Sequence, residues 1–401
     1  MSEEPGKFAA LFVKGGKWQK LGPLYEAIDT FLYTPGTVTR GAPHVRDAMD
    51  MKRMMITVVV ALIPTVIMAL YNTGLQINLA LQQQSAEYAP GWRGALLTLM
   101  GIGSDPASVL DNMLLGALYF LPVYIITVLT GGFWEVLFAS VRQQTISEGF
   151  LVTSLIFALI LPPAIPWWQV MMGISFGVVI GKEIFGGVGM NILNPALVGR
   201  CFLFFSYPRQ MSGNKVWVPV DGYSRATPLA ELPDPELDLS VSWQDAFYGF
   251  IPGSMGETST LACLIGALIL IISRVGSWRI MAGVVLGMAG LSLLFNYAGS
   301  LSNPMFQVTP QWHLVLGGFA FGAVYVATDP VSAAHSLPGQ FVYGVLIGAL
   351  TVLVRVINPG FPEGIMLAIL FGNVFAPTID RLFVSRHIRR RQRRQSVNAE
   401  R

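Results

Sequence analysis

Apolar stretches of about the length of a membrane-crossing helix follow one another along most of the chain. A helix needs about 20 mainly apolar residues to cross the hydrocarbon core of a bilayer. The windows that approach this length, several of them interrupted by glycine, are Met54–Leu70, Asn112–Ala139, Gly149–Leu161, Trp167–Phe185, Asn191–Phe205, Ser259–Ser273, Trp278–Tyr297, Trp312–Thr328, Phe341–Val356 and Gly364–Pro377. The pattern therefore predicts an all-α polytopic membrane protein with about ten transmembrane helices.

Basic residues are concentrated at the two ends of the chain. Residues 1–53 form a polar, basic N-terminal arm, and residues 381–401 form a tail with seven arginines between Arg381 and Arg394. Because segments rich in lysine and arginine stay on the cytoplasmic side, both termini are expected to be cytoplasmic and the number of spans to be even. Binding of nucleic acid by a tail that adjoins a membrane span is not expected.

A polar segment divides the apolar part of the chain into two halves. The predicted organisation is a first membrane half at 54–206, a loop at 207–257 and a second membrane half at 258–380, each half with about five spans. Between 207 and 250 the loop has six acidic and three basic residues. This depletion of positive charge predicts that the loop lies on the outer, periplasmic side.

Composition excludes soluble classes of protein. Hydrophobic residues make up 53% of the 401 residues and charged residues 12%, with a mean hydropathy of +0.56. Average soluble domains have about twice this fraction of charged residues. Cys201 and Cys263 lie far apart and outside any Cys-x-x-Cys pattern, so no thiolate-bound metal or iron–sulfur cluster is expected.

Two local patterns occur once in each half. The pattern Trp-x-x-Met-x-Gly-x-x-x-Gly occupies 168–177 and again 278–287, while Asn-Pro at 194–195 resembles Asp-Pro at 329–330. The offsets between the two pairs differ, so a single duplication does not explain both, and an internal pseudo-repeat remains one interpretation. Small residues at this spacing are also typical of ordinary helix contacts. The proline steps predict either broken helices that face an ion-binding cavity or loops at the membrane surface.

The loop contains a short segment with a possible modification site. An Asp-Gly step begins a turn, and the hydroxyl groups that follow can bond to the local backbone, which by itself requires no cofactor. The segment also resembles Asp-x-x-Ser/Thr-Gly-Ala-Thr, on which a periplasmic flavin transferase esterifies the phosphate of FMN to the last threonine. The matching residues are Asp221, Ser224, Ala226 and Thr227, whereas Arg225 stands where the pattern has glycine.

The resemblance extends over essentially the whole chain. The segments Lys14–Lys20, Gly41–Arg46 and Met51–Met55 are similar to NqrB, a membrane subunit of the bacterial Na⁺-translocating NADH:quinone oxidoreductase. RnfD, its counterpart in the related Rnf complex, shares the Pro-His-x-Arg element, but it begins close to that element. The arm of about 40 residues that precedes this element here therefore favours the quinone reductase.

This resemblance implies a redox function. It implies covalent FMN at Thr227, a non-covalent riboflavin, and a translocase of the inner membrane in which electrons pass to ubiquinone while Na⁺ is exported. The partners would be the other subunits of a six-subunit complex. NADH would be oxidised by one of them, since no dinucleotide-binding fingerprint opens a βαβ unit here. The region of Gly131 and Gly132 is associated with quinone in this family, and a helix-packing contact is the alternative.

Four carboxylates are candidates for a sodium pathway. Sodium prefers oxygen ligands, as other hard cations do, and carboxylates in membrane spans are costly unless paired or hydrated. The candidates are Glu135, Asp329, Glu183 and Asp380. An internal salt bridge is the alternative for the first two, and solvation or pairing with a neighbouring cation for the other two. A cofactor-free channel or transporter for a small solute remains the second functional hypothesis.

Overall fold

The computed structural model describes residues 51–399, apart from 87, 90, 143, 145, 147–148, 234–240, 301 and 359–362, together with Phe12, Trp18, Gly22 and Tyr25. The expected N-terminal arm, with nearly all of its family-like segments, therefore lies outside the described residues. Within these residues the chain forms helices joined by turns and irregular segments.

Nine helices of ten or more residues lie in the described part of the chain. They are α1 (Met51–Gln83), α2 (Val109–Arg142), α3 (Gly149–Leu159), α4 (Trp167–Gly181), α5 (Pro195–Ser206), α6 (Thr260–Ile272), α7 (Trp278–Ala298), α8 (Leu337–Ile357) and α9 (Ile365–Ala399). A shorter helix, Trp92–Leu99, lies in the connection between α1 and α2. Further short helices occur in the loop between α5 and α6.

Six of these helices are long and apolar enough to cross a membrane, namely α1, α2, α4, α7, α8 and α9. The expected count of about ten spans is not confirmed. Three of the remaining windows contain α3, α5 and α6, which have 11, 12 and 13 residues. At about 1.5 Å per residue such helices reach at most about 20 Å, less than the hydrocarbon thickness of about 30 Å.

The fourth remaining window, Trp312–Thr328, is broken at a pair of glycines. The helix Pro310–Val315 ends before Gly317 and Gly318, both of which have φ of +66°. This left-handed backbone is readily adopted only by glycine. The chain resumes as a short turn that leads into a π-helical segment, Gly322–Val326. The window is therefore apolar, as expected, but the glycine pair prevents a continuous span.

The glycines of the repeated pattern lie at helix contacts within each half. A Cβ atom on Gly177 of α4 would lie 2.4 Å from the carbonyl oxygen of Pro195 on α5. In the second half, a Cβ atom on Gly287 of α7 would lie 2.2 Å from the carbonyl oxygen of Val345 on α8. The small residues thus allow close backbone approach in α4–α5 and in α7–α8, as the helix-contact interpretation predicts.

The last helix continues without a break into the basic tail. Helix α9 begins at Ile365, contains Pro377 in its interior and ends at Ala399. Near its middle, Asp380 contacts the beginning of α8. The boundary expected at residue 380 is therefore a change of composition within one helix.

Candidate functional site

The loop that contains Thr227 is held by two apolar clusters. Upstream of the threonine, side chains of the loop pack against the ends of α1 and α2; this cluster includes Ile77, Leu81, Leu115, Tyr119, Val216, Trp217, Val218 and Val220. Downstream, Leu229 packs against the break in the second half and against a neighbouring short helix; this cluster includes Ala246, Ile251, Val315 and Leu316. Thr227 therefore lies between two anchored segments.

Thr227 occupies the N-cap position of the four-residue helix Pro228–Glu231. Its backbone is extended, with φ −73° and ψ 148°, and its carbonyl oxygen accepts hydrogen bonds from the N–H groups of Ala230 at 2.8 Å and Glu231 at 3.2 Å. The proline explains the abrupt helix start, since proline is favoured at the first helical position. The half-buried threonine makes no side-chain cap hydrogen bond. Its hydroxyl is therefore not committed to the local backbone.

The remaining residues of the pattern form the expected turn. Gly222 has φ of +78°, and the N–H group of Tyr223 donates to the carbonyl oxygen of Val220 at 3.1 Å. Asp221 and Ser224 are exposed, whereas Ala226 is half-buried. An exposed carboxylate and hydroxyl just upstream of the threonine are accessible to another protein.

The two proline steps meet, although they are 135 positions apart. Asn194 caps α5, because its side-chain oxygen accepts hydrogen bonds from the N–H groups of Ala196 at 3.0 Å and Leu197 at 3.4 Å. Its amide nitrogen donates to the Asp329 carboxylate at 3.2 Å. The helix start in the first half thus contacts the end of the broken segment in the second half.

A polar cavity lies at this contact. Its polar lining includes Lys182, Asn191, Asn194, Thr328 and Asp329, and its volume is about 70 Å³. A water molecule needs roughly 10–15 Å³ measured in this way, so the cavity has room for a few waters. Among the described residues, no basic side chain lies within 4.0 Å of the Asp329 carboxylate.

Hydrogen bonds from the Asp329 segment itself also reach this carboxylate. The hydroxyl of Ser332 donates to it at 2.7 Å and the N–H group of Val331 at 3.2 Å. The carboxylate is therefore held by neutral donors at the cavity wall, where water and a small cation could share its oxygens.

Glu135 and Glu183 belong to a network of four charged side chains. Lys182 forms a buried ion pair with Glu135, and its amine lies 3.9 Å from Glu183. Arg142 binds Glu183 at 2.9 Å. These contacts correspond to the ion-pair alternatives for both carboxylates. A sodium role for either residue remains a prediction.

Asp380 is bound by neutral donors. Its carboxylate accepts hydrogen bonds from the N–H groups of His335 at 2.7 Å and Ser336 at 2.9 Å, and from the Ser336 hydroxyl at 2.5 Å. Neither of the expected alternatives, solvation or pairing with Arg381, describes this arrangement. The carboxylate instead satisfies backbone donors just before α8, which helix starts require.

Gly131 and Gly132 have different surroundings. A Cβ atom on Gly131 would lie 2.4 Å from the ring of Phe150, so its small size allows α3 to approach α2. A Cβ atom on Gly132 would have its nearest neighbour at 3.9 Å. Packing within this chain therefore explains the first glycine but not the second.

A buried ion-pair cluster was not predicted from the sequence. Arg200 of α5 binds Glu257 at 2.5 Å, pairs with Glu363, and donates to the Ser254 hydroxyl at 3.3 Å. Because Glu257 precedes α6 and Glu363 precedes α9, this single arginine joins the first half to two elements of the second.

A second buried arginine, Arg355 of α8, closes the break near Gly317. It donates to the backbone carbonyl oxygens of His313 at 2.9 Å, Leu316 at 2.7 Å and Gly317 at 3.2 Å. Both arginines lie inside expected spans, where only carboxylates were considered. The cost of a charge in a span applies equally to cations, so the same argument would have identified Arg200 and Arg355.

The long apolar helices, the interrupted segments and the buried charge pairs define a multi-pass helical membrane protein with a polar interior. A family model described as NQR2, RnfD, RnfE family matches residues 38–389. The chain belongs to this family, which confirms the resemblance inferred from the motifs.

Proteins named as the NqrB component of Na(+)-translocating NADH-quinone reductase are similar to this chain along nearly its whole length. The protein from Ectopseudomonas mendocina is 57% identical over 386 residues, which cover 95% of this chain and 96% of the relative. That from Chromohalobacter salexigens is 56% identical over 389 residues, covering 96% and 94%. That from Pseudomonas aeruginosa strain LESB58 is 56% identical over 388 residues, covering 95% and 96%.

Proposed function

We propose that this chain is the NqrB component of a Na⁺-translocating NADH-quinone reductase. The observation that carries the proposal is the similarity, at 55–57% identity, to proteins of that name over almost the full length of both chains. The family model also covers Rnf subunits, but the similar proteins from these bacteria carry the quinone reductase name. The chain would act with the other subunits of a six-subunit complex, one of which oxidises NADH.

Thr227 is the proposed attachment site of FMN through a phosphoester bond. Its uncommitted hydroxyl, the exposed Asp221 and Ser224 beside it, and the anchored segments on both sides fit a threonine that a transferase modifies and the fold then holds in place. The flavin would supply the electron-transfer chemistry, while the chain supplies its position and surroundings.

The matched threonine Thr309 provides a control for this assignment. Like Thr227, it is the N-cap residue of a short helix that begins with proline, and its side chain makes no cap hydrogen bond. Thr227→Ala is expected to abolish the flavin fluorescence of the denatured chain in a gel, and Thr309→Ala to retain it. Fluorescence that survives Thr227→Ala contradicts the assignment. A chain without any fluorescence when the transferase is present returns the cofactor-free transporter as the better hypothesis.

Further parts of the proposal concern the second cofactor and the electron acceptor. Riboflavin would bind without a covalent bond, and electrons would pass to ubiquinone, with the region around Gly132 on α2 as the quinone contact. Extraction of the denatured complex should release riboflavin into the supernatant while FMN stays on the chain. Extraction of FMN alone would contradict the riboflavin proposal.

The proposed location is the bacterial inner membrane. Both termini would face the cytoplasm and the Thr227 loop the periplasm, where the flavin transferase acts. The arginines beyond residue 380 and the acidic loop support this orientation through the positive-inside rule.

Asp329 is the proposed sodium station that the contacts support best. It lines a polar cavity without a basic side chain within 4.0 Å in the described part of the chain, and its carboxylate is a suitable ligand for a hard cation. Asp329→Asn is expected to raise the sodium concentration for half-maximal quinone reduction about tenfold, equivalent to about 1.4 kcal/mol. Asp245→Asn, in the outer loop, serves as control. An unchanged sodium dependence at equal flavin content would remove Asp329 from the pathway.

A further inference from the structure

The basic part of α9 begins where the hydrocarbon core would end. The helix has 35 residues from Ile365 to Ala399, about 52 Å at 1.5 Å per residue, against a core of about 30 Å. Arg386 follows Ile365 by 21 positions, or about 31 Å along the axis. The arginines therefore reach the depth of lipid headgroups.

This part of the helix lacks acidic side chains of its own. The sequence contains no Asp or Glu between Arg381 and Ala399. Arg386 and Arg390 are spaced i,i+4, as are Arg390 and Arg394, and like charges at this spacing destabilise a helix. The carboxylate immediately before the cluster, Asp380, is engaged by the N–H groups of residues 335 and 336. The arginines thus require anions from outside the helix.

A groove lies between these arginines and the beginning of α8. Arg386, His387 and Arg390 provide its basic wall, while Phe383, Val384 and Pro338 provide apolar surface, and its volume is about 450 Å³. Around it, apolar side chains alternate with the arginines: Leu382 is 61% exposed, Val384 51% and Ile388 49%. A ligand that fits must combine an anionic group with an apolar portion.

We propose that this groove binds the headgroup of an anionic phospholipid, with Arg386 and Arg390 donating to the phosphodiester oxygens. Clusters of basic residues immediately beyond a membrane span attract anionic lipids. The exposed apolar residues between the arginines suit the upper acyl chains, whereas an acidic protein segment in water would leave them uncovered. The depth of the cluster places it at the phosphate level of the leaflet.

The test compares two double variants of the same helix. Native mass spectrometry of the delipidated complex counts bound phosphatidylglycerol against phosphatidylcholine. Arg386→Gln/Arg390→Gln removes the basic wall of the groove, while Arg389→Gln/Arg391→Gln removes equal charge from residues that do not line it. The groove variant is expected to lose about 30-fold in phosphatidylglycerol affinity, and the control variant less than about threefold.

Three outcomes overturn the proposal. Equal loss in both variants means that diffuse charge, not the groove, attracts the lipid. An unchanged preference for phosphatidylglycerol in the groove variant excludes these arginines. Loss of another protein of the complex from the groove variant, with an unchanged lipid count, assigns the groove to an acidic protein segment.

Discussion

Arg225 occupies the position where the flavinylation pattern has glycine, and its backbone geometry shows why both residues are compatible with the loop. Its N–H group donates to the carbonyl oxygen of Asn214 at 3.0 Å, a contact that does not depend on the side chain. Its φ is not in the left-handed region, unlike that of Gly222 in the same turn. Arginine therefore causes no backbone strain here.

We predict that Arg225→Gly leaves the flavin content of the chain unchanged or raises it. Thr227, the exposed Asp221 and the backbone hydrogen bond to Asn214 are all retained in this variant. The ratio of in-gel flavin fluorescence to protein stain measures the result, with Thr227→Ala as the unmodified reference. Complete loss of modification would show that the transferase recognises the arginine.

The buried pair of Glu135 and Lys182 leads to a prediction about assembly. Removing one partner of such a pair costs about 3–5 kcal/mol, because the other charge stays buried. Lys182→Met is expected to lower the thermal midpoint and the amount of assembled complex, and Lys182→Met/Glu135→Gln to recover most of both. A double variant as unstable as the single one contradicts a pair that serves mainly to neutralise charge. A raised sodium requirement in the recovered double variant would favour a role of Glu135 in transport.

Among the helices, the contact between α7 and α8 depends on glycine at chosen positions. Gly287 faces the backbone of α8, whereas an added Cβ atom on Gly290 of the same helix meets no atom within 4 Å. Alternation of close and open positions along one helix is what a small-x-x-x-small contact requires.

We predict that Gly287→Ala lowers the thermal midpoint of the complex and that Gly290→Ala does not. The added methyl group at Gly287 would lie 2.2 Å from the Val345 carbonyl oxygen, so the helices must separate, at a cost of about 1–3 kcal/mol. At Gly290 alanine favours the helix by up to about 1 kcal/mol. Thermal unfolding of the detergent-solubilised complex separates the two, and equal midpoints would contradict the close contact.

Across the molecule, three polar contacts join the two halves. Arg200 pairs with Glu257 and Glu363, and Asn194 binds Asp329. The hydroxyl of Tyr325 also donates to the Ala61 carbonyl oxygen at 2.9 Å. Polar contacts in a water-poor interior have few alternative partners, so they specify how the halves fit together.

We predict that Arg200→Gln prevents stable assembly. The variant leaves Glu257 and Glu363 without their cation, and the expected loss is about 3–5 kcal/mol. Arg209→Gln, at an exposed position in the outer loop, is the control. The amount of intact complex in membranes measures both variants. Recovery is expected when Glu257→Gln and Glu363→Gln are added, and normal assembly of Arg200→Gln alone would contradict the role of the cluster.

The helical membrane class, the divided organisation and the threonine segment were accessible from the sequence because each depends on neighbouring residues. Hydropathy and charge bias act over tens of residues, and the proposed modifying enzyme recognises a short segment. The same local information overestimated the number of long spans. Three windows hold helices of 11 to 13 residues, and two glycines with positive φ break a fourth.

The partners of the charged and polar side chains were decided only by tertiary structure. Asn194 and Asp329 are 135 positions apart, and Arg200 and Glu363 are 163 apart. No local pattern encodes which buried charge meets which, because pairing depends on how α5 packs against elements of the second half. For this reason the sequence identified Asp329 as a carboxylate of interest, whereas the fold placed it at a cavity and placed Glu135 in an ion pair.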